Sequence, residues 1–145
     1  MIFAGGCRTE KISSVPNQTS PETRPSTASA PPVGRYSAAS NDGSYFVAYT
    51  PTPDPIPLNK MFELAVWISS AQDRSRPLSG IELRADAAMP EHDHGMNTKP
   101  KVRANADGSF TVRGMLFHMP GRWELYLDVV RAGVTERAQF EIQLE

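Results

Sequence analysis

Cysteine occurs once in the 145 residues, as Cys7. One thiol forms no internal bridge, so the fold must hold by apolar burial alone. The same scarcity argues against a blue-copper electron carrier, whose centre needs a thiolate beside its other ligands. Charge of one sign is missing too. Fifteen Lys and Arg stand against sixteen Asp and Glu, a net charge of −1, which argues against the clustered positive charge of a nucleic-acid binder. No apolar run approaches the ~20 residues that span a bilayer. No stretch carries a convincing helical period, and there is no internal repeat. No Ser–His–Asp order and no pair of catalytic carboxylates stands out, and "HDH" has no third ligand at a spacing diagnostic of catalytic zinc. The chain is therefore not read as an enzyme.

What is present divides along the sequence. Thirteen prolines, many of them early, and a hydrophobic content of only 39% imply that part of the chain is unfolded. The first ten residues, "MIFAGGCRTE", resemble a bacterial lipobox. Small residues Ala4, Gly5 and Gly6 precede the cysteine that would be lipidated. The match departs at Ala4, where Leu, Val or Ile is usual, and the residues ahead of Cys7 are too few for a basic and an apolar signal region. Residues 1–7 are read as the remnant of a lipoprotein signal whose start lies upstream, with Cys7 as the lipidation site. The alternative is an ordinary cytosolic N-terminus with an incidental cysteine. Residues 8–36, rich in Pro, Ser and Thr, cannot bury enough surface to offset their ordering entropy and are read as a disordered linker. Such a spacer would hold a domain clear of a membrane.

Residues 37–145 read as all-β. "YFVAYT" is aromatic and β-branched and should end at "PTPDPIP", whose prolines forbid a continuous ladder. "MFELAVWIS" alternates, with Phe62, Leu64, Val66 and Ile68 on one face. "GIELRADAAM" alternates through Ile81, Leu83 and Ala85. "GSFTVRGMLF" follows an "ADG" turn. "RWELYLDVVR" places Trp123, Leu125, Leu127 and Val129 together. Ala132 and Gly133 then predict a hairpin into a last strand with Phe140, Ile142 and Leu144 inward. About seven short strands at regular spacing predict an immunoglobulin-like antiparallel β-sandwich.

The chemistry concentrates in two stretches that hold all three histidines. In "MPEHDHGM", His92 and His94 are two apart, so an extended segment would project both imidazoles to one side. Gly95 would let a bend bring Met96 back towards them. Met89 reads equally as core filler and as a ligand. In "GMLFHMPGRW", Met115 and Phe117 should share one face and Leu116 and His118 the other, with Phe117 and either Met115 or Leu116 in the core. His118 and Met119 would sit at the strand's end. Imidazole with thioether sulfur favours copper, Cu(I) foremost, with zinc behind it. The candidate metal ligands are His92, His94, Met96, His118, Met119 and Met89. The plainer alternative is a solvated turn and a core strand that share rare residues. Met61 is read as strand packing, and Arg122 as pairing near Glu124.

"AMPEHDHGMNTKP", "GSFTVRGMLFHMPGRWEL" and the terminal "ERAQFEIQL" together resemble the YtkA-like domain family, related to FixH-like proteins. The resemblance covers about Tyr45 to Leu144. It implies a small extracytoplasmic β-sandwich, often lipid-anchored, in the periplasm or cell envelope, with a role in copper handling or respiratory-oxidase assembly. Carried over residue by residue, it places His92, His94, Met96, His118 and Met119 in the site. The expected partner is then an envelope or respiratory-chain protein, and contact with the membrane is through the lipid anchor alone. A metal-independent interaction module using the same loops is the competing expectation.

Overall fold

The computed structural model describes residues 34–145. Cys7, the lipobox-like stretch and nearly all of the expected linker lie outside the described residues. Nine strands follow one another: β1 (Tyr36–Ala39), β2 (Tyr45–Thr52), β3 (Met61–Ser70), β4 (Glu82–Met89), β5 (His94–Gly95), β6 (Lys101–Ala104), β7 (Phe110–Leu116), β8 (Gly121–Arg131) and β9 (Val134–Leu144). A 3₁₀ turn at Pro90–His92 links β4 to β5. Among the described residues no helix is long and apolar enough to cross a membrane.

The strands make two antiparallel sheets, ordered β1-β2-β3-β7-β6 and β5-β4-β8-β9. Set aside the short β1 and β5 and seven strands remain. One sheet then holds the first, second, fifth and fourth of them, the other the third, sixth and seventh. This is the immunoglobulin order, so the expected sandwich is present, with two strands more than the alternation revealed. β1 also moves the boundary. Gly34 is already buried, so residues 34–36, assigned from composition to the linker, belong to the sandwich.

Period-2 patterning explains the core. Phe62, Leu64, Val66 and Ile68 of β3 face Trp123, Leu125, Leu127 and Val129 of β8, and all eight are buried. Each such side chain contributes roughly 1.5–3 kcal/mol by leaving water. Phe140 and Leu144 join from β9. The β8–β9 hairpin turns on Ala132 (φ 50) and Gly133 (φ 81), with Arg131 paired to Val134. Two successive positive φ values are those of a type I′ turn, whose twist matches the strands it joins. One expectation fails: β2 runs past Pro51 to Thr52. β1 reaches only as far as Tyr36, opposite Tyr49. Beyond Tyr49 one side of β2 is an edge, where a residue without an N–H is tolerated. Met61 also differs from expectation, being 65% exposed at the start of β3.

Candidate metal centre

The first cluster is folded more tightly than an extended segment. Met89 ends β4 on its inward row and is fully buried. Pro90 opens the 3₁₀ turn that carries His92, and Asp93 follows in the left-handed region (φ 52, ψ 40), a conformation Asp tolerates better than most residues. The chain then doubles back, pairing His94 with Met89 and Gly95 with Ala88. His92 and His94 thus reach one side through a turn, with ring centroids 5.8 Å apart. Gly95 makes no bend. It permits a close approach, because a Cβ there would lie a tight 3.2 Å from the Ala87 carbonyl. The Met96 N–H donates to that same carbonyl at 3.3 Å.

The second cluster owes its aim to a bulge. Along β7 and just past its end the buried residues are Phe110 and Val112, then Met115 and Phe117, so the inward parity changes at Gly114. Gly114 has φ +83, and the β3–β7 register shifts at this level. A glycine bulge inserts one residue and re-aims everything after it. Without it Phe117 would face outward and His118 would take its place in the core. With it, Phe117 stacks on Trp123 at 4.6 Å and 9°, and His118 stands edge-on to the same indole at 5.5 Å and 74°. Trp123 in turn donates its Nε1–H to the Met119 carbonyl at 2.9 Å, which fixes the loop after His118.

Segments 24 residues apart therefore meet over Trp123. The His94 and His118 rings lie 5.2 Å apart, and His94 is 6.0 Å from Trp123. Two imidazoles on one ion place their centroids about 5 Å apart at a tetrahedral angle and about 6 Å apart when nearly opposed. Both histidine separations fall in that window. His94 Nδ1 lies 3.1 Å from the Gly95 carbonyl oxygen. A carbonyl only accepts, so Nδ1 carries the proton and Nε2 keeps its lone pair for a ligand. His118 Nδ1 is buried with no hydrogen-bond partner, a cost that a bound ligand would relieve.

The six predicted ligands separate by depth. His92 is exposed, whereas His94, His118, Met96 and Met119 are half-buried, the two methionines packed against the core. Met89 is wholly enclosed, yet with Pro90, Asp93, His94 and Tyr126 it lines an open cleft of about 340 Å³. Among the described residues no group of three or more His, Cys, Asp or Glu side chains is placed to hold a metal ion. The rings that the fold brings closest are those of His94 and His118, 5.2 Å apart, with His92 on the exposed side of His94.

Residues outside that list bind the two clusters together. Arg122 on β8 contacts Glu91 in the 3₁₀ turn at 3.2 Å, Glu124 at 3.3 Å and Glu141 at 3.2 Å. Its hydrogen bonds to Glu91 and Glu141 hold the guanidinium above its already high value. Gly121 takes φ +123, a conformation that disfavours any L side chain, and a Cβ there would also press on the Met89 Cε at 2.8 Å. The glycine inside a strand pattern at 114 was a readable bulge signal. The Glu91–Arg122 contact left no signal in the spacing. The chain matches no protein-family model, no curated protein and no solved structure.

Proposed function

We propose that this protein is an extracytoplasmic, lipid-anchored copper carrier of the YtkA-like, FixH-like kind, delivering Cu(I) to an envelope or respiratory-chain partner. One observation carries the reading: the His94 and His118 rings stand 5.2 Å apart beside a buried tryptophan, with His118 Nδ1 unpaired. His94 would bind through Nε2 and His118 through a ring nitrogen, with sulfur from Met119, Met96 or Met89. Neutral imidazole and thioether suit Cu(I) and discriminate against hard cations. Trp123 would keep water from one side of the ion.

Competition against a chromophoric Cu(I) chelator tests this. The wild-type chain should take one equivalent, and Trp67→Phe protein should show quenching of Trp123 emission on loading. Replacing His94 and His118 together by alanine should lower affinity at least about 100-fold. Unchanged affinity in that variant removes the site. The metal-independent reading has support of its own in the exposure of His92 and Glu91 on one turn. Capture of an envelope partner that ignores both chelator and added copper would favour it.

A further inference from the structure

We infer that the three imidazoles form a two-step relay, in which His92 exchanges the ion with a partner, His94 serves both steps and His118 retains it. The inference rests on the copper-carrier reading and adds an order of events to it. Two ring pairs exist, His92–His94 at 5.8 Å and His94–His118 at 5.2 Å, and His94 belongs to both. Exposure falls along the same order. His92 sits on the 3₁₀ turn in open solvent, His94 is half-buried, and His118 has its Nδ1 closed off.

The three residues also differ in how firmly they are held. His94 lies in a paired strand, with its Nδ1–H on the Gly95 carbonyl. His118 is held between the bulged end of β7 and Trp123, whose indole fixes the Met119 carbonyl. His92 has neither anchor. It is the one ring able to swing towards an incoming protein without disturbing the core. The preceding Glu91 pairs with Arg122 at 3.2 Å.

The step is a ligand exchange. The bond from His92 nitrogen to the ion would break before one from His118 nitrogen forms, while the bond to His94 Nε2 persists. The ion keeps its charge and oxidation state. No proton leaves His94, since Nδ1–H stays on the carbonyl. Release runs the same sequence in reverse, so the outermost ligand governs the rate and the inner pair governs affinity.

Transfer of Cu(I) from the full loaded chain to bicinchoninate separates the two roles. His92→Ala should keep affinity within about threefold of wild type and slow transfer by about tenfold or more, whereas His118→Ala should lower affinity by more than about thirtyfold. His92→Met should restore the rate, because thioether is also an exchangeable Cu(I) ligand. The relay is overturned if His92→Ala loses as much affinity as His118→Ala, or if its transfer rate matches wild type. A His92→Met chain as slow as His92→Ala would also count against ligation at 92. If the wild-type chain takes up no Cu(I), the carrier reading itself falls, an outcome distinct from those.

Discussion

The two ends of the sandwich solve the same problem in opposite ways. At the end formed by residues 40–44, 71–81, 105–109 and 132–133, polar groups are met close at hand. Asp73 accepts from the Ser75 hydroxyl and N–H, and Asp107 accepts from the Ser109 hydroxyl and N–H. These bonds hold both carboxyls below the usual range. Burial pushes Glu136 up, but bonds from Ser40 and Ser44 outweigh it and the carboxyl also lies low. At the other end, Asp54 pairs its Oδ2 with Arg35 at 2.6 Å and leaves Oδ1 unpartnered, whereas His118 Nδ1 is buried with no partner. One end is closed electrostatically. The other keeps an unpaired imidazole nitrogen at His118, on a ring 5.2 Å from that of His94. An unmet polar group in a native fold calls for an explanation, and the ligand proposed at His118 supplies one.

Substitutions should therefore cost stability at one end and function at the other. Trp123→Ala breaks the comparison most severely, because the indole serves the core and the site together. It should cost about 3–5 kcal/mol in denaturant unfolding and remove copper binding as well. Next comes Gly114→Ala, which forces a Cβ into a positive-φ bulge. It should cost about 1–2 kcal/mol and lower Cu(I) affinity by re-aiming His118, measured by unfolding and chelator competition in parallel. Glu136→Gln should cost about 1 kcal/mol at neutral pH with copper affinity unchanged. Its pH signature follows from a depressed native value. The stability given by the carboxylate is present above the ordinary 4.5 and lost as pH falls through the lower folded value. Urea midpoints between pH 3 and 6 should show this acid loss in wild type and a flatter profile in the variant. His118→Leu sharpens the contrast most finely. It removes an unpaired buried nitrogen, so it should raise stability by up to about 1 kcal/mol while abolishing retention of the ion.

Legibility followed the same division. Strand faces such as Phe62 to Ile68 and Trp123 to Val129 could be read from alternation alone, because an antiparallel sheet buried on one face imposes a period of two. The Ala132–Gly133 turn was readable because a two-residue loop between alternating runs admits few conformations. The pairing of Phe117 inward with His118 away from the core was also legible. The reason for it, an extra residue at Gly114, was not drawn from the pattern. β1 escaped because "YSAA" has no apolar stripe and is stabilised by pairing to β2. The 3₁₀ turn at Pro90 escaped because His92 and His94 suggested extended spacing, whereas Asp93 takes a left-handed conformation that composition does not announce. The meeting of His94 with His118 depends on which ends of two sheets lie together. That is a property of topology, and the sequence offered it only as a possibility to be tested.

Copper K-edge X-ray absorption on the loaded full chain examines that meeting most directly. The account predicts a first shell of two imidazole nitrogens and at least one sulfur, with the imidazole scattering lost in the His94→Ala, His118→Ala variant. A shell of oxygen and nitrogen alone, unaltered by those two substitutions, would contradict it.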